Sequence, residues 1–347
     1  MKVKNYGLAT LLMLVSIMLS ACVSSGDSAS SSASADNEAS SEAGEKIEFK
    51  IAHVAQANHV WHATAEKFGE ELEALTDGRM TVSTIYPAAQ IGPEADIVSQ
   101  LETGVIDFGF MTNAYMSTRE ASLNGWFMPY LFNTLEDAVA MRKSDEAKAM
   151  LDTLSSQGLV GLDFAFAGNR HVLMKDGFAE TPEDLKGKKI RIVGSPAMQQ
   201  YWEEVGAGPT SMPLTEVYQS LQTGVIDGID IDLDALVTEK YYEQANYLTL
   251  TNQMTFPTVI VMSQKVYDGL SAEDQAIVRE ALDKAVDWGV QEALTREETN
   301  LQTLKDAGVE ILEDVDTSLY DDIAKKIRDD YSAKSDIIKA FIEKAQQ

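Results

Sequence analysis

A chain of 347 residues that is 45% hydrophobic and 24% charged has room for two domains and a substantial core, which excludes a wholly disordered protein. Its 55 acidic against 28 basic side chains leave a formal net charge of −27, which repels phosphate backbones and excludes nucleic acid as a partner. So acidic a protein can hold an anion only where positive charge is concentrated locally, and any arginine inside a pocket gains interest.

Lys2 and Lys4 form a basic start, residues 7–18 an apolar run too short to span a bilayer comfortably, and Leu19-Ser20-Ala21 precede Cys22. The pattern resembles a bacterial lipobox, so residues 1–21 are read as a lipoprotein signal peptide and Cys22 as the lipidated N-terminus of the mature protein. Cys22 is the only cysteine, which rules out an intramolecular disulfide. Residues 22–45, rich in Ser, Ala, Asp and Glu without apolar periodicity, are read as a disordered tether reaching about 25–30 Å. No later stretch approaches 18 uninterrupted apolar residues, so an extracytoplasmic, soluble body held to the cell membrane by its lipid is expected.

The folded part opens with an alternating strand at 47–54, a helix at 61–75 closed by Asp77-Gly78, a strand at 80–86 and a helix at 94–102. Leu101-Glu102-Thr103-Gly104-Val105-Ile106-Asp107 then recurs as Leu221-Gln222-Thr223-Gly224-Val225-Ile226-Asp227. In each copy Gly is expected to end a helix in the left-handed conformation, Val-Ile to begin a buried strand and Asp to close it. The second copy follows a compact version of the same order: strand 189–193, helix 197–205, strand 210–212 and helix 215–223. Two β-α-β-α-β units predict parallel α/β sheets, whose ligands sit beyond the carboxyl ends of the strands.

A long helix opens at Ser271 with Asp274 as capping-box partner and runs to Ala307, about 54 Å, enough to brace two lobes. The amphipathic tail, 318–345, is expected on the second lobe. The division predicted is lobe one at 46–167 plus 258–298 and lobe two at 168–257 plus 299–347, closing on hinges near 166–168 and 252–258.

Several segments together resemble a known family, the extracytoplasmic solute receptors of tripartite ATP-independent periplasmic (TRAP) transporters, the DctP family. They are Thr181-Pro182-Glu183-Asp184-Leu185-Lys186-Gly187-Lys188-Lys189-Ile190-Arg191, Gly206-Ala207-Gly208-Pro209-Thr210-Ser211-Met212-Pro213, and the stretch from Glu216 through Gly228. Tyr86-Pro87 with Gln90-Ile91-Gly92 is similar to the family's Pro-x-x-Gln-Leu-Gly turn. The resemblance implies an α/β, two-lobed periplasmic-binding-protein-like fold with a cleft between the lobes and a long helix spanning both. It also implies capture of a small organic anion for delivery to a small and a large TRAP membrane subunit, with no enzymatic activity, cofactor or metal.

By the same resemblance Arg191 stands at the family's principal ligand-binding arginine, where a guanidinium offers a carboxylate two parallel donors. Arg170 resembles a second family arginine, with pairing to a hinge carboxylate as the alternative. After Asp227-Gly228 the chain departs from the family: Ile231 falls where an asparagine is expected, and Asp230, Asp232 and Asp234 would share one strand face. Asp230 and Asp232 are therefore candidate cleft acceptors, with balancing Arg170, binding a cation or turning outward as the alternatives. His53 at the end of the first strand, with Phe110, Thr112 and Asn113 after the first repeat, are candidates by position, whereas His59 and His62 are read as helix-start residues. Acceptor-only aspartates suit ligand hydroxyls, so a hydroxylated monocarboxylate such as an aldonate or uronate is expected over a C4-dicarboxylate. Two rival classes stay open: a hydrolase or transferase, although nucleophile elbow, Walker loop and zincin motifs are absent, and a bilobed receptor serving an ABC importer or a sensor kinase.

Overall fold

A computed structural model describes residues 45–347; Cys22, the signal peptide and nearly all of the tether lie outside the described residues. Among the described residues eleven strands form two sheets: β1 (Ile47–His53), β2 (Met80–Tyr86), β3 (Phe108–Thr112), β4 (Leu159–Asn169), β5 (His171–Met174), β6 (Lys189–Ile192), β7 (Gly208–Ser211), β8 (Gly228–Ile231), β9 (Tyr247–Thr249), β10 (Thr255–Ser263) and β11 (Glu310–Leu312). Lobe one holds the order β2-β1-β3-β10-β4, and lobe two the order β11-β9-β5-β8-β6-β7.

Both sheets are mixed, where the sequence pattern predicts parallel ones. β1 runs parallel to β2 and β3, and β6 parallel to β7 and β8, as the β-α-β order requires. β10 is antiparallel to β3 and β4, and β5 to β8 and β9. The cause is the connection: β5 and β10 enter their sheets directly from the other lobe, without the helical crossover that keeps neighbouring strands parallel. Only Arg170 separates β4 from β5, and the return path through residues 250–254 lies beside it, with the Arg170 N–H on the Met254 carbonyl at 2.7 Å.

The repeated segment is one joint used twice. Gly104 and Gly224 cap their helices at φ 76° and 73°, and the next N–H in each reaches back 2.9 Å, Val105 to the Gln100 carbonyl and Val225 to that of Ser220. Val105 and Val225 do not begin strands: they are 56% and 52% exposed, and the strands start at Phe108 and Gly228. The intervening aspartates tie the joint to the adjacent strand, Asp107 accepting the Lys50 N–H at 2.7 Å and Asp227 that of Lys189 at 2.8 Å.

The long helix, Ala272–Asp306, packs on the Val60–Leu75 helix and β4 of lobe one and on the Leu233–Thr238 helix of lobe two. Gly289 permits a close approach, since a Cβ there would sit 2.3 Å from Thr64 Oγ1. The tail departs from its expected place on lobe two. Its first helix, Asp321–Lys334, does lie on the Pro196–Val205 helix, but the last, Asp336–Ala345, crosses to lobe one. There Phe341 meets Trp126 and Phe132 edge-on at 4.7 and 6.1 Å between ring centroids. Apolar periodicity specifies a buried face without naming what covers it.

Candidate functional site

The carboxyl ends of β1, β3, β6 and β8 converge on a cavity of about 710 Å³ between the lobes. Lobe one contributes His59, Trp61, Glu94 and Thr112 to its lining; lobe two contributes Arg170, Arg191, Met212, Ile231 and Asp232, and Phe256 stands at the crossing. A ligand beyond the strand ends is where open α/β sheets place one.

Arg191, on β6, is 1% exposed. Its Nε and Nη2 both donate to the Met212 carbonyl, at 3.1 and 2.9 Å. Nη1 has no hydrogen-bond partner among the described residues. Both N–H groups of Nη1 and the second N–H of Nη2 are therefore left over, which keeps an end-on fork of the kind the sequence reading expects. Burial pulls its pKa down to about 10, partly opposed by the charges of Asp230 and Glu94, and it remains cationic at neutral pH.

Arg170 is committed to the protein. Its Nε bonds the Asp230 carboxylate, Nη2 the Asp230 carbonyl, and Nη1 the Asp232 carboxylate at 2.9 Å. Its guanidinium carbon lies 4.1 Å from the Phe256 ring centroid. Asp230 also receives Trp202 Nε1 at 2.9 Å and Gln253 Nε2 at 3.1 Å, so its carboxylate faces these partners and is not part of the cavity wall. Asp232 does line the cavity, but as the cap of the Leu233–Thr238 helix, accepting the Ala235 N–H at 2.8 Å. β8 ends at Ile231, so the alternation that would align all three aspartates stops there, and Ile231 itself faces the cavity.

The lobe-one candidates divide in the same way. His53 is fully buried off the cavity wall, with Nε2 at 3.0 Å from His62 Nδ1, and burial holds its pKa at about 3. Phe110 belongs to the lobe-one core, and Asn113 donates to the Leu123 carbonyl at 2.9 Å; neither reaches the cavity. Thr112 does, although its N–H and hydroxyl are held by the two Glu94 carboxylate oxygens at 2.7 and 2.9 Å.

Among the lining residues, Trp61 and Glu94 escape the sequence reading. Trp61 opens the first helix and is buried, and its Nε1 has no partner among the described residues. Its ring lies nearly parallel to that of Phe256, at 14° and 6.4 Å between centroids. Glu94 is the first residue of the Glu94–Thr103 helix. Burial pushes its carboxyl up to about 7, against the opposing pull of the Thr112 hydrogen bonds and the Arg191 charge. Trp61 and Glu94 each sit at a helix start just after a strand or turn at the cleft edge, which is the positional signal that could have found them. His59 caps the first helix, accepting the Trp61 N–H at 3.2 Å, in agreement with its helix-start reading, and it also faces the cavity.

Beside the cavity the lobes touch through Asp234, whose carboxylate accepts the Val60 N–H at 2.7 Å and Asn300 Nδ2 at 3.1 Å. Gln56 donates to Glu239 across the same gap at 3.0 Å. Among the described residues there is no group of three or more His, Cys, Asp or Glu placed to hold a metal, and no helix long and apolar enough to cross a membrane.

The family model described as bacterial extracellular solute-binding protein, family 7 (DctP) matches residues 51–334. The ectoine/5-hydroxyectoine-binding periplasmic protein UehA of Ruegeria pomeroyi is 32% identical over 247 residues, 70% of this chain and 71% of that one. The C4-dicarboxylate-binding periplasmic protein DctP of Rhodobacter capsulatus is 28% identical over 266 residues, covering 76% and 79%. Among solved structures, a TRAP periplasmic solute binding protein from Sulfitobacter sp. NAS-14.1 with bound β-D-galacturonate superposes with a TM-score of 0.79 at 26% identity, covering 85% of this chain and 98% of that one.

Proposed function

Because the chain belongs to the family 7 bacterial extracellular solute-binding proteins, we propose that its cleft captures a hydroxylated monocarboxylate, of the aldonate or uronate class, for the small and large membrane subunits of a TRAP transporter. One observation carries the reading: Arg191 Nη1 and Trp61 Nε1 are buried donors without partners among the described residues, contributed by opposite lobes to one cavity. A buried donor without an acceptor is costly, and a carboxylate oxygen between them would satisfy both while bridging the lobes. With Arg170 neutralised by two aspartates, Arg191 is the cavity's only arginine without a carboxylate partner among the described residues, which suits one carboxylate and not two. The galacturonate bound by the Sulfitobacter receptor supports the class.

A second reading, a zwitterion resembling the ectoines of the Ruegeria relative, is favoured by the parallel rings of Trp61 and Phe256 beside Asp232, which suit a delocalised cation. Calorimetric titration with galacturonate, gluconate, succinate, malate and ectoine separates the classes. Sugar-acid binding is expected to weaken by about 2–5 kcal/mol in Arg191→Ala, because the ligand carboxylate is left desolvated and unpaired. An affinity within about threefold of the parent (under 1 kcal/mol) would refute the role of Arg191.

The membrane anchor belongs to the same proposal. Cys22 with its acyl chains holds the receptor at the cell surface, since stable attachment takes two chains or a second signal. Cys22→Ser protein is expected to leave the membrane fraction, and its retention there would overturn the anchor.

A further inference from the structure

A carboxylate seated on Arg191 leaves the remainder of the ligand facing lobe one, and there the cavity wall carries a carboxyl group of its own. Glu94 lines the cavity from the start of its helix, and its oxygens are held in place by the Thr112 N–H and hydroxyl at 2.7 and 2.9 Å. Those two bonds fix the side chain without neutralising it, because both donors are uncharged and each oxygen keeps a further acceptor position. Glu94 and Arg191 belong to opposite lobes and act on each other electrostatically. We propose that Glu94 sorts ligands by what they carry away from the carboxylate, accepting hydrogen bonds from hydroxyl groups and refusing a second carboxylate. The inference rests on the Arg191–carboxylate reading and adds a selecting residue to it.

Among the described residues Glu94 is the one carboxylate that lobe one gives to the wall. β3 and β10, packed against its helix, carry no titratable side chain, and the lysine of the Gln264–Tyr267 turn reaches the far end of the helix, with Nζ near the Thr103 carbonyl. On β1, His53 is bonded to His62, while Glu48 and Lys50 are exposed, away from the cavity wall. The other ionisable groups of the wall are His59, Tyr115, Glu216, Arg170, Asp232 and Arg191, and the single charge of Arg170 is shared between Asp232 and the more deeply buried Asp230. Asp96, on the same helix, is exposed to solvent.

The position of the Glu94 titration, pushed up to about 7, makes the selection sensitive to pH. Below that value the protonated carboxyl is a donor and tolerates a second carboxylate; above it the anion repels one. Affinity for a diacid therefore falls as pH rises through about 7, whereas affinity for a hydroxylated monoacid holds or rises.

Galacturonate and its diacid galactarate, titrated against the parent protein and Glu94→Gln at about pH 6 and 8.5, test the proposal. Glutamine can keep both Thr112 contacts, since the hydroxyl can accept from its amide. For the parent, the galactarate-to-galacturonate affinity ratio is expected to fall about tenfold or more between the two pH values, which is one pKa unit of coupling. In Glu94→Gln the ratio is expected to be flat and higher than the parent's at pH 8.5. If both acids bind through Arg191 but the ratio is the same in the two proteins, or does not change with pH in the parent, the selecting role is lost and the Arg191 reading stands. Binding of neither acid by the parent removes both. The pH trend of the parent decides alone if the variant does not fold.

Discussion

Arg170 grips Asp230 twice, with Nε on the carboxylate and Nη2 on the backbone carbonyl, and the two side chains are 1% and 0% exposed. An arginine that sequence resemblance assigns to the ligand is thus a buried structural ion, shared with Asp232 and stacked on Phe256. Asp230→Ala removes the partner of a buried charge and leaves Trp202 Nε1 and Gln253 Nε2 without their acceptor, so a loss of about 3–5 kcal/mol in urea unfolding is expected. Arg191→Ala is expected to cost far less stability while weakening ligand binding. A reversed order, with Asp230→Ala near the parent in stability, would show that Arg170 is free to serve the ligand.

Two buried histidines, His53 and His171, make the fold sensitive to acid. Burial holds His53 and His171 at about 3, against 6.5 for an unperturbed imidazole. Between those values the unfolded chain binds protons that the folded chain does not, so each histidine's contribution is complete above pH 6.5 and is lost as pH falls. The stability gap between the parent and His171→Gln is therefore expected to shift in the variant's favour by about 1.4 kcal/mol per pH unit below 6.5. Chemical denaturation at several pH values checks it, and a gap independent of pH would mean that His171 titrates in the folded protein as it does in the unfolded one.

What could be read in advance followed the range of the forces involved. The Gly104 and Gly224 joints were legible because a left-handed helix cap and the aspartate behind it are local chemistry, and the place of Arg191 on the cavity wall because the segments around it match a family in order and spacing. The outcome for Asp230 and Asp232 was left open, since it depends on β8 stopping at Ile231, three residues short of the Asp234 that alternation includes. Trp61 and Glu94 read in sequence as an ordinary apolar helix residue and an ordinary first-turn acid. Only tertiary placement sets one beside Phe256 and the other against Thr112. His53 and Phe110 fail for the complementary reason: a strand's end brings a residue near the cleft, but the pleat decides whether its side chain points into it.

At Gly289 the long helix passes directly against Thr64 of lobe one. Substitution by alanine would favour an isolated helix by about 1 kcal/mol, yet here the added methyl meets Thr64 Oγ1 at 2.3 Å and Cγ2 at 3.1 Å. A net loss of about 1–3 kcal/mol is expected from overpacking. Thr64→Ala in the same chain removes the obstructing atoms and should restore at least half of the loss. Thermal melts of the two single variants and the double variant supply the cycle, and a stabilised Gly289→Ala would show that the helices are free to separate at this point.

Asp234 is the residue whose removal should open the cleft. It belongs to lobe two, yet its carboxylate accepts the Val60 N–H of lobe one at 2.7 Å, with His59 Nε2 at 3.5 Å, while Asn300 and Arg296 of the long helix approach its other oxygen at 3.1 and 3.4 Å. The carboxylate is buried, so its loss leaves several donors without an acceptor, and the contact to Val60 depends on the lobes being together. Asp234→Ala is expected to weaken the closed arrangement by about 1–3 kcal/mol. Apparent ligand affinity then falls about 5–150-fold, although no residue carrying a free donor to the ligand has changed. Small-angle scattering separates this from a direct contact: the ligand-free variant should have a larger radius of gyration than the ligand-free parent, and the two radii should converge at saturating ligand. Equal radii without ligand, together with weakened binding, would place Asp234 in contact with the ligand instead of between the lobes.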